Sequence, residues 1–565
     1  MSSTRRTFLK GLGASAIAFY SADTVADLLA QSPRGRVMES KFKGMADIVL
    51  AEAKMAGCSY ADVRFQMTMG LPGASANFNS GGGGGRGGGR GGGGRGGGGR
   101  GGGRGGRGGF GFGRGRGGTA DAIPTDTDRQ AAGFGVRVVH SGVWGFASSP
   151  IVTEDEIRRI TRLATEVAKA SAIAKRADLN LAPVPAYVDY YRTPVIKDPL
   201  TVSETDRDNW AQAIVDAASK VKGVTSVSAS CNCSYEWKYF ASTEGSYIEQ
   251  EIYTTQPSLN VSATVGDVTR GRNYVGVPGT GGWEFAEGSD LLDAAERVAN
   301  EAVEYCTARP LEGSGLKTLI LSPSHAMLTI HEIVAHATEI DRIVGYEANY
   351  AGTSFVKLSD VGKLKYGSKL FNVTASKIDT GLGSCGYDDD GVKNTTFPIV
   401  REGILVGLQT NRETAHYLGE KESRGCTYAN SWRDYPFLRM PNLHVDPGGP
   451  GSPTLAEMIA DTKDGVMIDG RGSYSIDQQR YNGQFGGNAF WEIKNGKVTR
   501  MISNVTYNAI TTDFWANLDA ITGPNEWRMY GTGGDAKGQP TQTNSISHGS
   551  PWLRIRDIMV GAAFD

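Results

Sequence analysis

The sequence predicts an α+β protein with two domains. A chain of 565 residues is too long to fold around one hydrophobic core. Residues 31–310 combine helical periodicity with long alternating runs, and they predict an N-terminal α/β-type domain whose sheet is flanked by helices. Residues 311–565 consist mostly of short β-rich runs between Gly, Asn and Asp turns, which predict an antiparallel β-rich domain that carries one buried helix.

The first 30 residues have the features of a twin-arginine export signal. Residues 5–10 have the sequence RRTFLK, and a short apolar stretch follows at about 11–20. That stretch is shorter than the roughly 20 apolar residues that a membrane-spanning helix needs. No later segment is apolar enough to span a membrane. We therefore expect a cleaved signal at 1–30 and a periplasmic or otherwise extracytoplasmic protein.

Four segments of the N-terminal domain show the apolar spacing of helices, at 39–56, 153–175, 203–221 and 288–307. Three β-rich runs lie between them, at 59–66, 133–149 and 224–265. The second run contains a hairpin signal at His140, Ser141 and Gly142, and the third alternates like a β-meander. The spacing of these runs predicts a sheet with helices packed on it.

A Gly- and Arg-rich segment at 79–118 interrupts this domain. It contains eight arginines, no acidic residue and almost no bulky side chain, so it cannot bury enough surface to offset its ordering entropy. We interpret it as a flexible loop inserted between two strands, with RNA binding by RGG-type repeats as the alternative. The rest of the chain is mildly acidic, and it does not indicate a nucleic-acid-binding surface.

The C-terminal domain begins with a strand and then a helix. Ser322 is a good N-cap residue, and Pro323 would occupy the first helical position. The following β-rich runs include 403–418, 465–477 and 489–502, the last with an Asn495–Gly496 hairpin turn.

The helix after Pro323 carries the sequence TIHEIVAHATEIDR at 329–342, with His331, Glu332 and His336. Histidines five residues apart lie about 140° apart on a regular α-helix, too far to bind one ion. A single wide π-turn would bring both rings onto one face. Alternatively, Glu332 and His336 could share the ion with His331 nearby, or both histidines could be buried structural residues.

Several segments resemble the TldD/PmbA family of metalloproteases, in the same order along the chain. They are HEIVAH at the motif together with SYADVRF, GFGVRVVHSGVWGFASS, RMPNLHVDPG, DGRGSYSID and KGQPTQTNSISHGSPWLRI. Because the PmbA/TldE branch generally lacks the metal motif, the chain resembles the motif-bearing, TldD-type subunit.

The resemblance implies a zinc-dependent peptidase that acts on unfolded or small peptides. His331 and His336 would be metal ligands, and Glu332 would be the general base that takes a proton from metal-activated water. The family also implies an active site enclosed between two subunits. The partner would be a second copy or a PmbA/TldE-like subunit without the motif.

The third ligand departs from the family pattern. Some members place a cysteine in the C-terminal glycine-rich segment, where this chain has Gly533 at the position we assign to that cysteine. His548 is the first candidate substitute and Asp535 the second. Glu339 and Asp341 are candidate partners for an imidazole N–H, or a helix-end acid pair without a metal role. The remaining histidines are expected to be structural: His140, His325, His416 and His444.

Two other functions remain open at this level. If the missing cysteine reflects a lost site, the chain would be a non-catalytic envelope subunit or binding protein that retains the fold. The third possibility is a metal-dependent hydrolase of non-peptide amides or esters. The six cysteines are expected to be isolated buried thiols.

Overall fold

The computed structural model describes residues 32–80 and 132–562. The predicted export signal at 1–30 and most of the Gly- and Arg-rich segment at 79–118 lie outside the described residues. The described residues form one eight-stranded sheet in the N-terminal half and sheets of ten, six and two strands in the C-terminal half. No helix of the described residues is long and apolar enough to cross a membrane.

The N-terminal half forms a sheet in the order β3-β2-β1-β5-β6-β4, in which β7 and β8 also pair with β6. All pairs are antiparallel except β4 with β6. The strands are β1 (Tyr60–Asn79), β2 (Ala132–His140), β3 (Val143–Ser149), β4 (Val188–Arg192), β5 (Val224–Ser242), β6 (Tyr247–Val265), β7 (Val268–Val275) and β8 (Gly279–Thr280).

Helices cover this sheet in two groups, as the sequence predicts. The helices are α1 (Lys41–Met55), α2 (Glu154–Ser171), α3 (Glu204–Ser219), α4 (Glu284–Glu287) and α5 (Leu291–Thr307). Apolar faces of α1 and α2 pack with β1 and β2, whereas α3 and α5 pack with β5 and β6. The segment predicted as one helix at 288–307 begins only at Leu291.

Strand β1 is longer than predicted. It continues to Asn79 and tolerates Pro72 because its pairing with β5 shifts register between Leu71 and Ala74. The Gly- and Arg-rich segment connects β1 to its antiparallel neighbour β2. It is therefore an insertion between adjacent strands.

The C-terminal half contains a ten-stranded sheet in the order β18-β19-β22-β26-β10-β17-β20-β21-β9, in which β23 also pairs with β26. The strands are β9 (Arg309–Pro310), β10 (Gly315–Leu321), β17 (Asp464–Asp469), β18 (Tyr474–Ile476), β19 (Asn482–Gly486), β20 (Ala489–Lys494), β21 (Lys497–Ser503), β22 (Val505–Ile510), β23 (Leu518–Ile521) and β26 (Leu553–Ala562). The predicted turn between β20 and β21 is confirmed, with positive φ at both Asn495 and Gly496.

A six-stranded sheet in the order β13-β12-β11-β16-β25-β24 stands beside it, with a small β14–β15 pair. The strands are β11 (Val373–Ser376), β12 (Thr396–Arg401), β13 (Ile404–Leu405), β14 (Thr427–Tyr428), β15 (Phe437–Leu438), β16 (Asn442–Val445), β24 (Arg528–Lys537) and β25 (Gln542–Ser550). The β-rich prediction for 403–418 is mostly wrong, because only Ile404–Leu405 is strand and Ala415–Leu418 is a 3₁₀ turn.

The predicted antiparallel arrangement holds for most of these pairs, with three exceptions. Strand β10 is parallel to β17, β16 to β25 and β21 to β9. The chain leaves β10 through the helix α6 (Pro323–Ile330) and returns as β17 more than 140 residues later. Long crossovers of this kind permit parallel pairing, and local alternation cannot reveal them.

Short helices complete the C-terminal half, namely α7 (Ile340–Ile343), α8 (Leu455–Ala460) and α9 (Thr511–Ala516). All six cysteines are free, and Cys58 and Cys385 are only partly buried. The thiols of Cys231 and Cys233 share one apolar cluster on the same face of β5, so these two are neighbours rather than isolated residues.

Candidate metal centre

Helix α6 begins as the sequence predicts and then widens. The hydroxyl of Ser322 accepts a hydrogen bond from the backbone N–H of His325, and Pro323 occupies the first turn. Residues His331–Ala335 form a π-helical turn, closed by a bond from the N–H of His336 to the carbonyl of His331. The ring centroids of His331 and His336 are 4.6 Å apart. The wide turn thus brings histidines five residues apart onto one side of the helix, where both rings can reach one ion.

The third group at this point comes from β24, about 200 residues later in the chain. The Oδ1 atom of Asp535 lies 3.3 Å from Nε2 of His331 and 3.7 Å from Nε2 of His336. One ligand atom from each of the three residues falls within 4.8 Å of the others, and all three are buried. These three side chains therefore converge on one point.

Gly533, where we expected the family's cysteine, does not share this point. The pairing of β24 with β25 shifts register between Thr532 and Asp535, so the strand is irregular at Gly533. A Cβ atom at Gly533 would meet the side chain of Gln256, 3.4 Å away, rather than a histidine. The position that faces the histidines is Asp535.

His548 lies behind His331 rather than beside it. Its Nε2 atom is 2.9 Å from Nδ1 of His331, the nitrogen that points away from Asp535. Its Nδ1 atom is 3.2 Å from the carbonyl oxygen of Leu443 on β16. From the sequence, His548 is the first candidate for the third ligand and Asp535 the second. The geometry favours Asp535 over His548 as third ligand. Strand β25 places His548 against Nδ1 of His331, on the side of the ring away from Asp535.

The second imidazole is held by an acid from its own helix. The Oε2 atom of Glu339 is 2.9 Å from Nδ1 of His336, and Oε1 accepts a bond from Nζ of Lys537 at 2.9 Å. Lys537 also pairs with Asp341, 2.7 Å away, and is fully buried. Glu339 thus orients the ring directly, whereas Asp341 acts one contact further out.

The electrostatics favour a neutral imidazole at His336 and an ionised carboxylate at Asp535. Burial, with the charge of Arg342, lowers the pKa of His336 to about 3, so its ring keeps a lone pair at neutral pH. Burial alone would raise the pKa of Asp535, but Arg439 and the two histidines hold it well below its usual range. Arg439 pairs with Oδ2 of Asp535, which leaves Oδ1 directed at the histidines.

Glu332 is buried beside the three groups and has a different environment. Burial raises the pKa of its carboxyl, while His331 opposes the rise. The hydroxyl of Tyr474 on β18 hydrogen-bonds with Glu332. Arg471, which is exposed, and Arg480, which is buried, also act on Glu332 through their charge. Tyr474 and Arg471 belong to the DGRGSYSID segment, whose sequence resembles the family but does not itself indicate a role for either residue.

The other histidines lie outside this cluster, in agreement with their predicted structural roles. His325 contacts Gly470 O at 3.0 Å and the hydroxyl of Tyr507 at 2.9 Å. His444 pairs with Asp379 at 2.7 Å. His140 contacts Ser141, and His416 stacks on Tyr417.

The donor set fits a divalent zinc ion. Two neutral imidazoles and one carboxylate are a known catalytic zinc set, in which three protein ligands leave a fourth position for water or substrate. Each donor also has an outer partner, namely His548 on His331, Glu339 on His336 and Arg439 on Asp535.

Comparisons with known proteins point to one family. Residues 314–562 match the profile of the PmbA/TldA metallopeptidase C-terminal domain, and residues 197–306 match that of the central domain. The chain is 29% identical over 437 residues to a metalloprotease of Methanothermobacter thermautotrophicus, covering 76% of this chain and 89% of the relative. It is 22% identical to a zinc metalloprotease TldD homolog of Saccharolobus solfataricus, covering 76% of this chain and 90% of the relative.

The fold is also similar to that of a solved relative. The crystal structure of TldE from Thermococcus kodakarensis superposes with a TM-score of 0.64 at 14% sequence identity, covering 91% of this chain and 99% of that chain.

Proposed function

Because the chain carries the central and C-terminal domains of the PmbA/TldA metallopeptidases, we propose that it is a zinc-dependent peptidase of unfolded or small peptides. His331, His336 and Asp535 hold the zinc, and Glu332 is the general base. The observation that carries the proposal is the convergence of those three buried ligand atoms within 4.8 Å. The similar protein of Saccharolobus solfataricus is likewise named a zinc metalloprotease.

The residues around the ion have separate roles in peptide hydrolysis. Zinc supplies Lewis acidity and makes water acidic enough to act as a nucleophile near neutral pH. Glu332 takes the proton of the attacking water and delivers it to the leaving amine. Its raised pKa suits this exchange, because the carboxyl must hold the proton between the two steps.

Tyr474 positions the base. Its hydroxyl hydrogen-bonds with Glu332, and burial followed by the carboxylate's charge raises the pKa of this phenol. The phenol therefore stays protonated at neutral pH and donates to the carboxylate. Strand β18, which bears it, is the outermost strand of the ten-stranded sheet.

Metal analysis and digestion of peptides test the proposal together. We expect about one zinc per chain in the purified protein and cleavage of a mixed peptide library detected by mass spectrometry. Glu332→Gln should keep the zinc and lower kcat by roughly 10²–10⁴-fold. Glu296→Gln is the matched control, because this glutamate is exposed on α5. Cleavage at the normal rate by Glu332→Gln would remove the base from the mechanism.

The non-catalytic alternative rested on the missing cysteine. That alternative assumes that no other residue replaces the cysteine as third ligand. Asp535 supplies a third donor atom, which argues against a lost metal site. A folded protein that contains no zinc after mild purification would restore this alternative. Small ester substrates set against the peptide library separate a peptidase from a hydrolase of non-peptide bonds.

We propose two further properties that accompany this function. The chain pairs with a second subunit, either a copy of itself or a TldE-like protein. Light scattering on the protein, alone and with such a partner, tests this.

The protein is exported through the twin-arginine route. Replacing Arg5 and Arg6 by lysine should retain the protein in the cytoplasm, and unchanged export would contradict the proposal.

A further inference from the structure

A cavity of about 210 Å³ lies between the N-terminal sheet and the six-stranded sheet. Strands β5 and β6 form one wall, and the loop after β11, the segment after β15 and the start of β25 form the other. Its volume corresponds to about seven water molecules, or one amino-acid side chain with some solvent. Gly533 and Thr543, both exposed, stand at the rim.

Two buried cationic side chains line this cavity and have unmet hydrogen-bonding capacity. Lys377 is 6% exposed; its Nζ donates to the carbonyl of Gly425 at 3.2 Å and makes no ion pair in the part of the chain that the structure describes. Arg439 is 2% exposed, and its Nη1 has no acceptor among the described residues. Arg439 is paired with Asp535 through another nitrogen, so its unsatisfied group is the Nη1 donor. Because buried charges are normally paired and buried donors normally satisfied, Lys377 and this donor together indicate a missing anionic acceptor.

The nearby acidic groups are already engaged by other partners. Glu236, which also lines the cavity, accepts a bond from Gln66 at 2.6 Å and pairs with Lys238 at 3.3 Å. Lys238 pairs with Asp389 at 3.1 Å. The carboxylate of Asp388 accepts backbone N–H bonds, including those of Val392 and Thr427. Burial alone would lower the pKa of Lys377, but nearby groups including Cys385 and Asp388 raise it. Acidic groups therefore lie near Lys377, although none of those among the described residues makes an ion pair with its Nζ.

The cavity adjoins the metal centre through Arg439. One guanidinium nitrogen of Arg439 binds Asp535, whereas Nη1 has no partner within residues 32–80 and 132–562. Along β24, Gly533 at the rim precedes Asp535 by two residues, which can span at most about 7 Å. Two residues of an extended peptide substrate span a similar length. A group bound in the cavity would therefore belong to a residue one or two positions from the scissile bond.

We propose that this cavity binds a carboxylate of the peptide substrate through Lys377 and Arg439. The carboxylate is the C-terminal one or that of an Asp or Glu side chain. This inference rests on the peptidase function proposed above, and it adds a preference for acidic groups beside the cleaved bond. Charge-assisted bonds to both cations would provide the affinity.

Binding to an inert protein tests the subsite independently of catalysis. The zinc-loaded, full-length Glu332→Gln protein is titrated calorimetrically with acetylated alanine–serine hexapeptides. One peptide has a C-terminal amide, one has a free C-terminus, and a set of amides carries a single Glu at each position in turn. We expect at least one carboxylate-bearing peptide to bind about tenfold tighter than the neutral amide. The arm that shows the preference identifies the source of the carboxylate.

Variants at Lys377 assign the preference to the cavity. In the same background, Lys377→Gln keeps a donor for Gly425 but removes the charge, and should abolish the tenfold difference, while Lys377→Arg should retain it. Lys317→Gln is the control, because Lys317 pairs with Asp464 away from the cavity.

Equal binding of acidic and neutral peptides, a preference that survives Lys377→Gln, or no binding by any peptide would each overturn the subsite. Failure of the peptidase proposal would look different. In that case the unaltered protein cleaves no peptide, whereas the carboxylate preference in binding persists.

Discussion

The Nδ1 atom of His331 lies 2.9 Å from Nε2 of His548. If His548 donates from Nδ1 to the carbonyl of Leu443, its Nε2 accepts a hydrogen bond from the protonated Nδ1 of His331. Nε2 of His331 is then unprotonated and can bind a metal. In the opposite tautomer, Nδ1 of His548 accepts from the N–H of Leu443 at 3.3 Å, and its Nε2 donates to Nδ1 of His331. Nε2 of His331 would then carry the proton and could not bind a metal. His548 thus decides whether His331 can act as a ligand.

Substitutions at His548 should weaken zinc binding, and the loss should be larger when the new side chain cannot accept a hydrogen bond from His331. His548→Leu removes the acceptor and should lower zinc affinity about 10–100-fold, the usual effect of losing an outer partner of a ligand. His548→Gln keeps an acceptor and should lose less. Titration against a competing chelator measures both. Complete loss of zinc from both variants would identify His548 as a direct ligand.

Substitutions at Asp535 should distinguish ligand chemistry from charge. Asp535→Asn keeps the shape but removes the anionic donor, and we expect it to lose bound zinc. Asp535→Cys supplies a thiolate, which is a good zinc ligand, and should retain the metal. Zinc content after dialysis measures both. Full zinc occupancy in Asp535→Asn would show that another residue completes the site.

Local sequence patterns predicted part of this site. Ser322 and Pro323 predicted where α6 begins. The five-residue spacing of His331 and His336 allowed both to bind one ion only through a π-turn, which was one of the alternatives and which the structure contains. Glu339 was a candidate partner for an imidazole, and it contacts His336. Such features depend on residues within two helical turns, which helical geometry relates directly.

The remaining features depend on contacts between distant segments. Asp535 reaches the histidines because the pairing of β24 shifts register beside Gly533, and sequence alternation does not reveal a register shift. The parallel pairing of β16 with β25 places His548 against Leu443. The short strand in 403–418 shows the same limit, because tertiary contacts outweigh local β-propensity there.

Removing the buried cation behind the site should destabilise the fold strongly. Lys537→Met removes a cation that lies 2.9 Å from Glu339 and 2.7 Å from Asp341, and within the described residues only Glu339 keeps a second ion pair, with Arg342. Losing one member of a buried ionic group costs about 3–5 kcal/mol of unfolding free energy. The matched control is Lys317→Met, whose partner Asp464 is partly exposed, with an expected loss of about 1 kcal/mol or less. Urea unfolding compares the two, and equal losses would contradict the account.

The stability of the metal-free protein should fall with acidification because of His325. Burial lowers the pKa of this imidazole to about 4, below its unfolded value of about 6.5. The unfolded chain therefore takes up the proton first, and stability is lost as pH falls from 6.5 towards 4. Between pH 7.5 and 4.5 the parent should lose about 2–3 kcal/mol more than His325→Asn. Urea unfolding in chelator measures this, and parallel pH profiles would contradict it.

The most direct test of the metal centre is anomalous diffraction at the zinc edge from crystals of the purified protein. We predict a single strong peak about 2.0–2.2 Å from Nε2 of His331, Nε2 of His336 and Oδ1 of Asp535. The absence of a peak at that point, or a peak bonded to His548 instead of Asp535, would contradict the account.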